Sequence, residues 1–235
     1  MSDRAGGTTG LLLAAGAGTR MGMPKALVRD AGGRPWVTTA VDTLLAGGCD
    51  AVVVVLGASA REARPLVPDR PSVRTVVASA WAEGMGASLA AGLAVVREGD
   101  GAAAVVVSLV DLPDLPVAAV RRVLDAPGDR RRALRRAVHD GRPGHPVLVG
   151  RVHWGPLAAV LHGDLGAGRY LRSAGAERVE CGDLWDGHDH DRPGPGRRSA
   201  GRGTDDGRPG TTGTGPPVCA GDDYATDART SARVG

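Results

Sequence analysis

The chain has no phenylalanine and no isoleucine, and aromatic residues make up only 3% of its 235 positions. Its apolar content is therefore almost entirely Ala, Val and Leu. That bias leaves little functional meaning in bulk composition and gives weight to the exceptions. Without interleaved aromatics there is no platform for stacking nucleic-acid bases. The local basic excess in RRVLDAPGDRRRALRR, residues 121–136, accordingly reads as a solvated helix and loop, and no nucleic-acid partner is expected. No apolar run approaches the roughly 20 residues of a membrane span, so no membrane partner is expected. LLLAAGAG is too short for a secretory core, and Asp3 spoils the basic flank that such a signal needs. Cys49, Cys181 and Cys219 are widely spaced and form no CxxC pair, which excludes a zinc ribbon and a disulfide framework. A reducing, cytoplasmic setting fits.

Lysine is the other scarcity. Lys25 is the only one among 29 strongly basic residues.

What is present alternates between two textures over the first 185 residues. Val/Leu runs at 9–15, 51–57, 73–79 and 102–110 read as buried parallel strands. Segments 35–48, 59–67 and 84–98 read as helices, with Val37, Val41, Leu44 and Leu45 at helical spacing. Strand–helix alternation predicts an open α/β sheet with right-handed crossovers. Beyond residue 185 the texture changes: residues 186–235 hold 11 glycines and 5 prolines, with Val218 and Val234 as the only large aliphatics. Such a segment buries too little apolar surface to offset its ordering entropy. The expected organisation is one domain over 1–193 and a disordered Gly/Pro/Arg/Asp-rich tail over 194–235.

The first strand runs straight into Gly16-Ala17-Gly18-Thr19-Arg20-Met21-Gly22. Ligands of open α/β sheets bind beyond the carboxyl ends of the strands. Glycines there let backbone N–H groups approach phosphate oxygens. The spacing is neither the dinucleotide fingerprint nor a P-loop. Arg20 and Lys25 follow the glycines, and Pro24 fixes the backbone before the lysine. A forked guanidinium and a compact, mobile ammonium suit a triphosphate. Asp111 ends the fourth apolar strand and faces the same edge. It is placed either to hold Mg²⁺ with phosphate oxygens and waters or to cap a following helix.

The string Leu13-Ala14-Ala15-Gly16-Ala17-Gly18-Thr19-Arg20-Met21-Gly22-Met23-Pro24-Lys25 resembles the signature of the MobA-like nucleotidyltransferases. It looks most like their molybdenum cofactor cytidylyltransferase branch, because guanylyl-transferring relatives carry L-A-G-G and an Asp before the lysine. WAEGMGASLAAGL, LVDLP, DGRPGHPVL and GDLGAG follow in the family's order, over roughly residues 8–193. The resemblance implies a Rossmann-like three-layer α/β/α nucleotidyltransferase fold with a mostly parallel sheet. It implies nucleotide contacts from Leu13, Ala14, Ala15, Gly16, Gly18, Thr19, Arg20 and Lys25, with Arg20 and Lys25 catalytic. Ser88 would lie beside the base or ribose, or else cap its own helix. Asp111 becomes a metal ligand, and Asp189-His190-Asp191-Arg192-Pro193 looks like the family's second acidic string, with Asp191 as the partner ligand. The same DGHDHD stretch, with His188 and His190, also admits a transition-metal reading. Gly144 and His145 resemble the segment facing the pterin-bearing substrate. One departure is marked: the usual G-D-x-G-A-R here ends in Gly168, and Arg169 comes one place late.

The activity implied is transfer of CMP from CTP to the phosphate of molybdopterin, with Mg²⁺ as cofactor and pyrophosphate released, by a monomer that serves a molybdoenzyme or its chaperone. Three other readings stay open: a different small phosphate acceptor, a nicotinamide-dependent oxidoreductase on the same scaffold, or a non-catalytic nucleotide-binding or chaperone protein for a molybdoenzyme. Lys25 with Asp111 separates transfer, which needs both, from hydride chemistry, which needs neither; a binding protein would take CTP and release no pyrophosphate.

Overall fold

A computed structural model describes residues 6–99, 101–163 and 166–190. The expected tail, its boundary at 193 and Asp191 lie outside the described residues. The described residues form a seven-stranded sheet in the order β3-β2-β1-β4-β6-β5-β7. Its strands are β1 (Thr8–Ala14), β2 (Ala51–Leu56), β3 (Val73–Val77), β4 (Ala104–Leu109), β5 (Leu134–His139), β6 (Arg142–Gly150) and β7 (Glu177–Glu180). Only β6 runs antiparallel to its neighbours. The helices are α1 (Trp36–Ala46), α2 (Ala60–Ala63), α3 (Met85–Glu98), α4 (Val117–Asp125), α5 (Trp154–Ala158) and α6 (Gly168–Ser173).

The alternation of side chains along each strand sorts the core into two layers. Leu12, Val52, Val54, Val106 and Leu148 meet Val37, Val41 and Leu44 of α1 and Val120 and Val123 of α4. Leu11, Leu13, Val53, Val107 and Val147 meet Leu89 and Leu93 of α3, Leu157 of α5 and Leu171 of α6. Both faces of the central strands are covered, which is why those strands read as unbroken Val/Leu runs. Each fully buried Leu or Val contributes about 1.5–3 kcal/mol over the exposed state. Helix α3 sits close on the sheet because Gly92 has no side chain; a Cβ there would come within 2.5 Å of Leu11 Cδ1.

The sheet half beyond β4 departs from the sequence expectation. The stretch 121–136 is not all solvated helix and loop: it runs from α4 into β5, and Arg135 is only 1% exposed. Arg135 Nε meets Glu177 Oε2 at 3.0 Å, and its terminal nitrogens donate to the carbonyls of Val123, Leu124 and Pro127. The Val123 and Leu124 carbonyls are among those that the end of α4 leaves without helical partners, and Pro127 lies just beyond it. The guanidinium thus closes α4 from inside the fold, a role that an Arg-rich run does not announce. The strands β5 and β6 join through Asp140 and Gly141, both at positive φ, with His139 opposite Arg142. That is the geometry of a two-residue hairpin turn.

Candidate active site

The loop after β1 owes its path to Gly18, at φ +65°. A Cβ at that position would sit 1.8 Å from the Met23 carbonyl oxygen, so only glycine lets the loop fold back on the Met23–Pro24 segment. The Met21 N–H donates to the Gly18 carbonyl at 3.0 Å and tightens the turn. Pro24 then opens a single 3₁₀ turn, Lys25–Leu27, whose first residue is the lysine. Buried Ala26 anchors that turn against Leu12 and Val37 in the core layer.

Lys25 Nζ lies 2.6 Å from Asp111 Oδ2. The two side chains keep 17% and 12% of their exposure, so the pair is sheltered and solvent screens it weakly. Asp111 Oδ1 is buried and has no hydrogen-bond partner among the described residues. Asp111 does not cap the helix that follows: α4 begins after Pro116 with no side-chain cap. An orphaned carboxylate oxygen at the carboxyl edge of the sheet is the donor chemistry that a hard divalent cation takes, alongside phosphate oxygens and water. Among the described residues, no group of three His, Cys, Asp or Glu side chains could hold a metal alone. His190 Nε2 contacts Asp114 Oδ2 at 2.6 Å and His188 Nδ1 lies 3.1 Å from Asp186 Oδ2, so these histidines form separate pairs and do not share one site.

A cleft of about 570 Å³ opens beside this pair. Leu13, Ala14, Ala15, Gly16, Gly18, Thr19, Arg20, Lys25, Ser88 and Asp111, singled out from sequence, all line it. Arg20 stands exposed on its lip. Ser88 is buried on α3, and its hydroxyl reaches the Gly84 carbonyl at 3.3 Å within its own helix. Trp81 and Met85 line the opposite wall and were not singled out from sequence. In a chain with four tryptophans, a Trp four residues before a helical Met was the available signal.

Gly144 and His145 are not in that lining. They lie on β6, the next strand along from β4. A Cβ on Gly144 would meet the His139 ring at 2.6 Å, so this glycine makes room for a buried neighbour. The ring nitrogens of His139 lie 3.0 Å from the Trp185 carbonyl and 3.2 Å from that of His145. Burial, with help from Arg136 and His139, pushes the His145 pKa down to about 4, so its ring is neutral at pH 7. From Trp185 the chain continues along the site edge to His190, whose N–H donates to the Asp111 carbonyl at 3.0 Å.

The MobA-like NTP transferase domain matches residues 10–179. The chain belongs to that family. It is an enzyme of the nucleotidyltransferase class. It is 38% identical over 198 residues to nicotine blue oxidoreductase of Paenarthrobacter nicotinovorans, which covers 78% of this chain and 91% of that protein. Among solved structures it resembles Rv0371c of Mycobacterium tuberculosis H37Rv, with 28% identity, a TM-score of 0.63, and coverage of 75% of this chain and 88% of that one. The same mycobacterial protein in complex with manganese matches at 27% identity with a TM-score of 0.60, over 74% of this chain and 87% of that one. Family membership accords with the Rossmann-like, mostly parallel sheet.

Proposed function

We propose that this enzyme transfers CMP from CTP to the terminal phosphate of a molybdopterin-type acceptor and releases pyrophosphate. The observation that carries the reading is the Lys25–Asp111 pair at the mouth of the glycine loop. A phosphate oxygen of the acceptor attacks the α-phosphorus, and the bond from that phosphorus to the bridging oxygen of pyrophosphate breaks. The nucleophile is already ionised, so no general base is required. The work is positioning and neutralisation of charge. Loop N–H groups and Arg20 hold the β- and γ-phosphates, while Lys25 meets the charge growing around the α-phosphate. Asp111 offers its unpartnered oxygen to Mg²⁺, with Asp191 as the second carboxylate. The metal, when bound, screens the nucleophile from the triphosphate. The manganese complex of the mycobacterial relative supports a divalent ion in this family. The lean to CTP rests on Ala14, Ala15 and Pro24 in the signature. We place the catalytic domain in residues 1–193, and a chain ending there should retain full transfer activity.

The test is magnesium-dependent pyrophosphate release from CTP, GTP and ATP with molybdopterin as acceptor. Release with CTP alone, lost in Lys25→Ala, supports the reading; release with CTP and a sugar or polyol phosphate moves it to another acceptor. A second reading, nicotinamide-dependent reduction, is favoured by the 38% identity to nicotine blue oxidoreductase. NADPH oxidation that survives Lys25→Ala, without any pyrophosphate release, would select it.

A further inference from the structure

Arg136 stands on β5 directly opposite Val147 of β6, which in turn lies opposite Val107 of β4. Directly paired residues of antiparallel strands point to one face. Arg136 therefore shares the sheet face that carries α3 and the wall of the nucleotide cleft. Its Nε donates to the Gly144 carbonyl at 3.2 Å, which fixes the plane of the guanidinium. Among the described residues its terminal nitrogens have no hydrogen-bond or carboxylate partner. Arg172, exposed on α6, likewise meets no carboxylate among them. Yet the two heads converge. A Cβ built on Gly168 would lie 3.8 Å from an Arg172 terminal nitrogen and 3.9 Å from one of Arg136. Gly168 is the position where the family's G-D-x-G-A-R string carries its arginine. The arginine's absence leaves space between Arg136, which arrives from β5, and Arg172, one turn further along the same helix α6.

Two like charges brought together without a counter-charge carry an electrostatic cost unless an anion joins them. Burial and the nearby Arg172 charge both hold the Arg136 pKa below its ordinary value, as expected for an unneutralised pair. The neighbouring Arg135, in contrast, is neutralised by Glu177, and Arg122 by Asp183. The loop that leads to Gly168 is tied to the cleft wall, for the Gly86 N–H donates to the Gly163 carbonyl at 2.9 Å.

We propose that Arg136 and Arg172 form an oxyanion subsite beside Gly168 that receives a second anionic group, phosphate or carboxylate, of the acceptor substrate. The assignment to the acceptor rests on the transferase reading above; the anion site itself does not. Two strand spacings separate β5 from β4, so this group sits roughly 10 Å from the strand that ends at the nucleotide cleft. The acceptor class is then a small molecule with two anionic ends, one reacting and one anchored.

The site is tested by following the arginine Nε–Hε NMR signals of the full chain during titration with inorganic phosphate, with CTP saturating the nucleotide cleft. The Arg136 and Arg172 signals should shift saturably, and Arg172→Gln, a surface change that leaves the fold intact, should weaken phosphate binding at least tenfold. Succinate in place of phosphate reports whether carboxylates are taken too. In transfer assays, Arg136→Gln and Arg172→Gln should raise the acceptor KM 10- to 100-fold and leave kcat and the CTP KM unchanged. Absence of a phosphate-dependent shift, or shifts that persist undiminished in Arg172→Gln, overturns the subsite. If the shifts occur and no acceptor is turned over, the subsite stands and the transferase reading fails. If they occur and both variants leave the acceptor KM unaltered, the pair binds an anion other than the acceptor and the assignment is overturned.

Discussion

The ammonium of Lys25 and the carboxylate of Asp111 neutralise each other at 2.6 Å, although they lie 86 residues apart in the chain. Each is also the group that the proposed reaction requires elsewhere, the lysine on phosphate and the carboxylate on metal. Opening the pair for only one ligand leaves the other partner sheltered and uncompensated. Nucleotide and metal should therefore bind together. Titration of Mn²⁺ by electron paramagnetic resonance should show weak binding alone and at least tenfold tighter binding with CTP. Equal affinity in both conditions would contradict this coupling. Lys25→Ala should lower kcat/KM by about 10²–10³, the usual loss on removing one charge-stabilising donor.

Gly18→Ala should act on the loop and spare the fold. Its Cβ would overlap the Met23 carbonyl oxygen at 1.8 Å, so residues 18–24 must take another path. The sheet does not depend on that path. Thermal unfolding should move by only a few degrees while nucleotide affinity falls at least tenfold, which calorimetric titration with CTP can measure.

Arg135→Met keeps the volume of a buried side chain and removes its donors. The carbonyls of Val123, Leu124 and Pro127 then lose their partner, and Glu177 loses its ion pair. Unsatisfied buried acceptors cost roughly 1–3 kcal/mol each, partly recovered where water enters. We expect a loss of about 2–4 kcal/mol in urea unfolding. A change under 0.5 kcal/mol would show that the guanidinium is dispensable.

His145 makes acid stability testable. Its folded pKa, about 4, lies below the ordinary histidine value of 6.5. The unfolded chain therefore binds more protons between those values, and stability falls as pH drops from about 6.5 toward 4. The contribution is on the order of 2–3 kcal/mol. His145→Gln should flatten the pH dependence of the melting temperature in that window and leave it unaltered above pH 7. An identical slope in the variant would assign acid sensitivity to other groups.

The half of the candidate site around the glycine loop was legible because its signals are local. β1, its glycine loop and Lys25 are contiguous, and the Val/Leu runs of β2, β3 and β4 have no competing reading. Asp111 could be placed at the same edge because it follows directly on the fourth apolar run, although its alternative as a helix cap fell only when α4 proved to start after Pro116. The other half was obscured by arginine. β5 reads LRRAVH, and Arg135 is buried among helix carbonyls that lie more than ten residues away in sequence. Asp140-Gly141 was the local sign of a hairpin there. The Arg136–Arg172 convergence had no such sign, because it joins β5 to α6, two elements far apart in the chain.

The single reversed strand has a consequence for how this enzyme could change. β1 to β4 are knit by crossovers through α1, α2 and α3. β5 and β6 are joined by a two-residue turn and pair as sequence neighbours. A lineage could revise that ribbon piecemeal, trading one co-substrate for another, while the inherited triphosphate machinery stayed untouched.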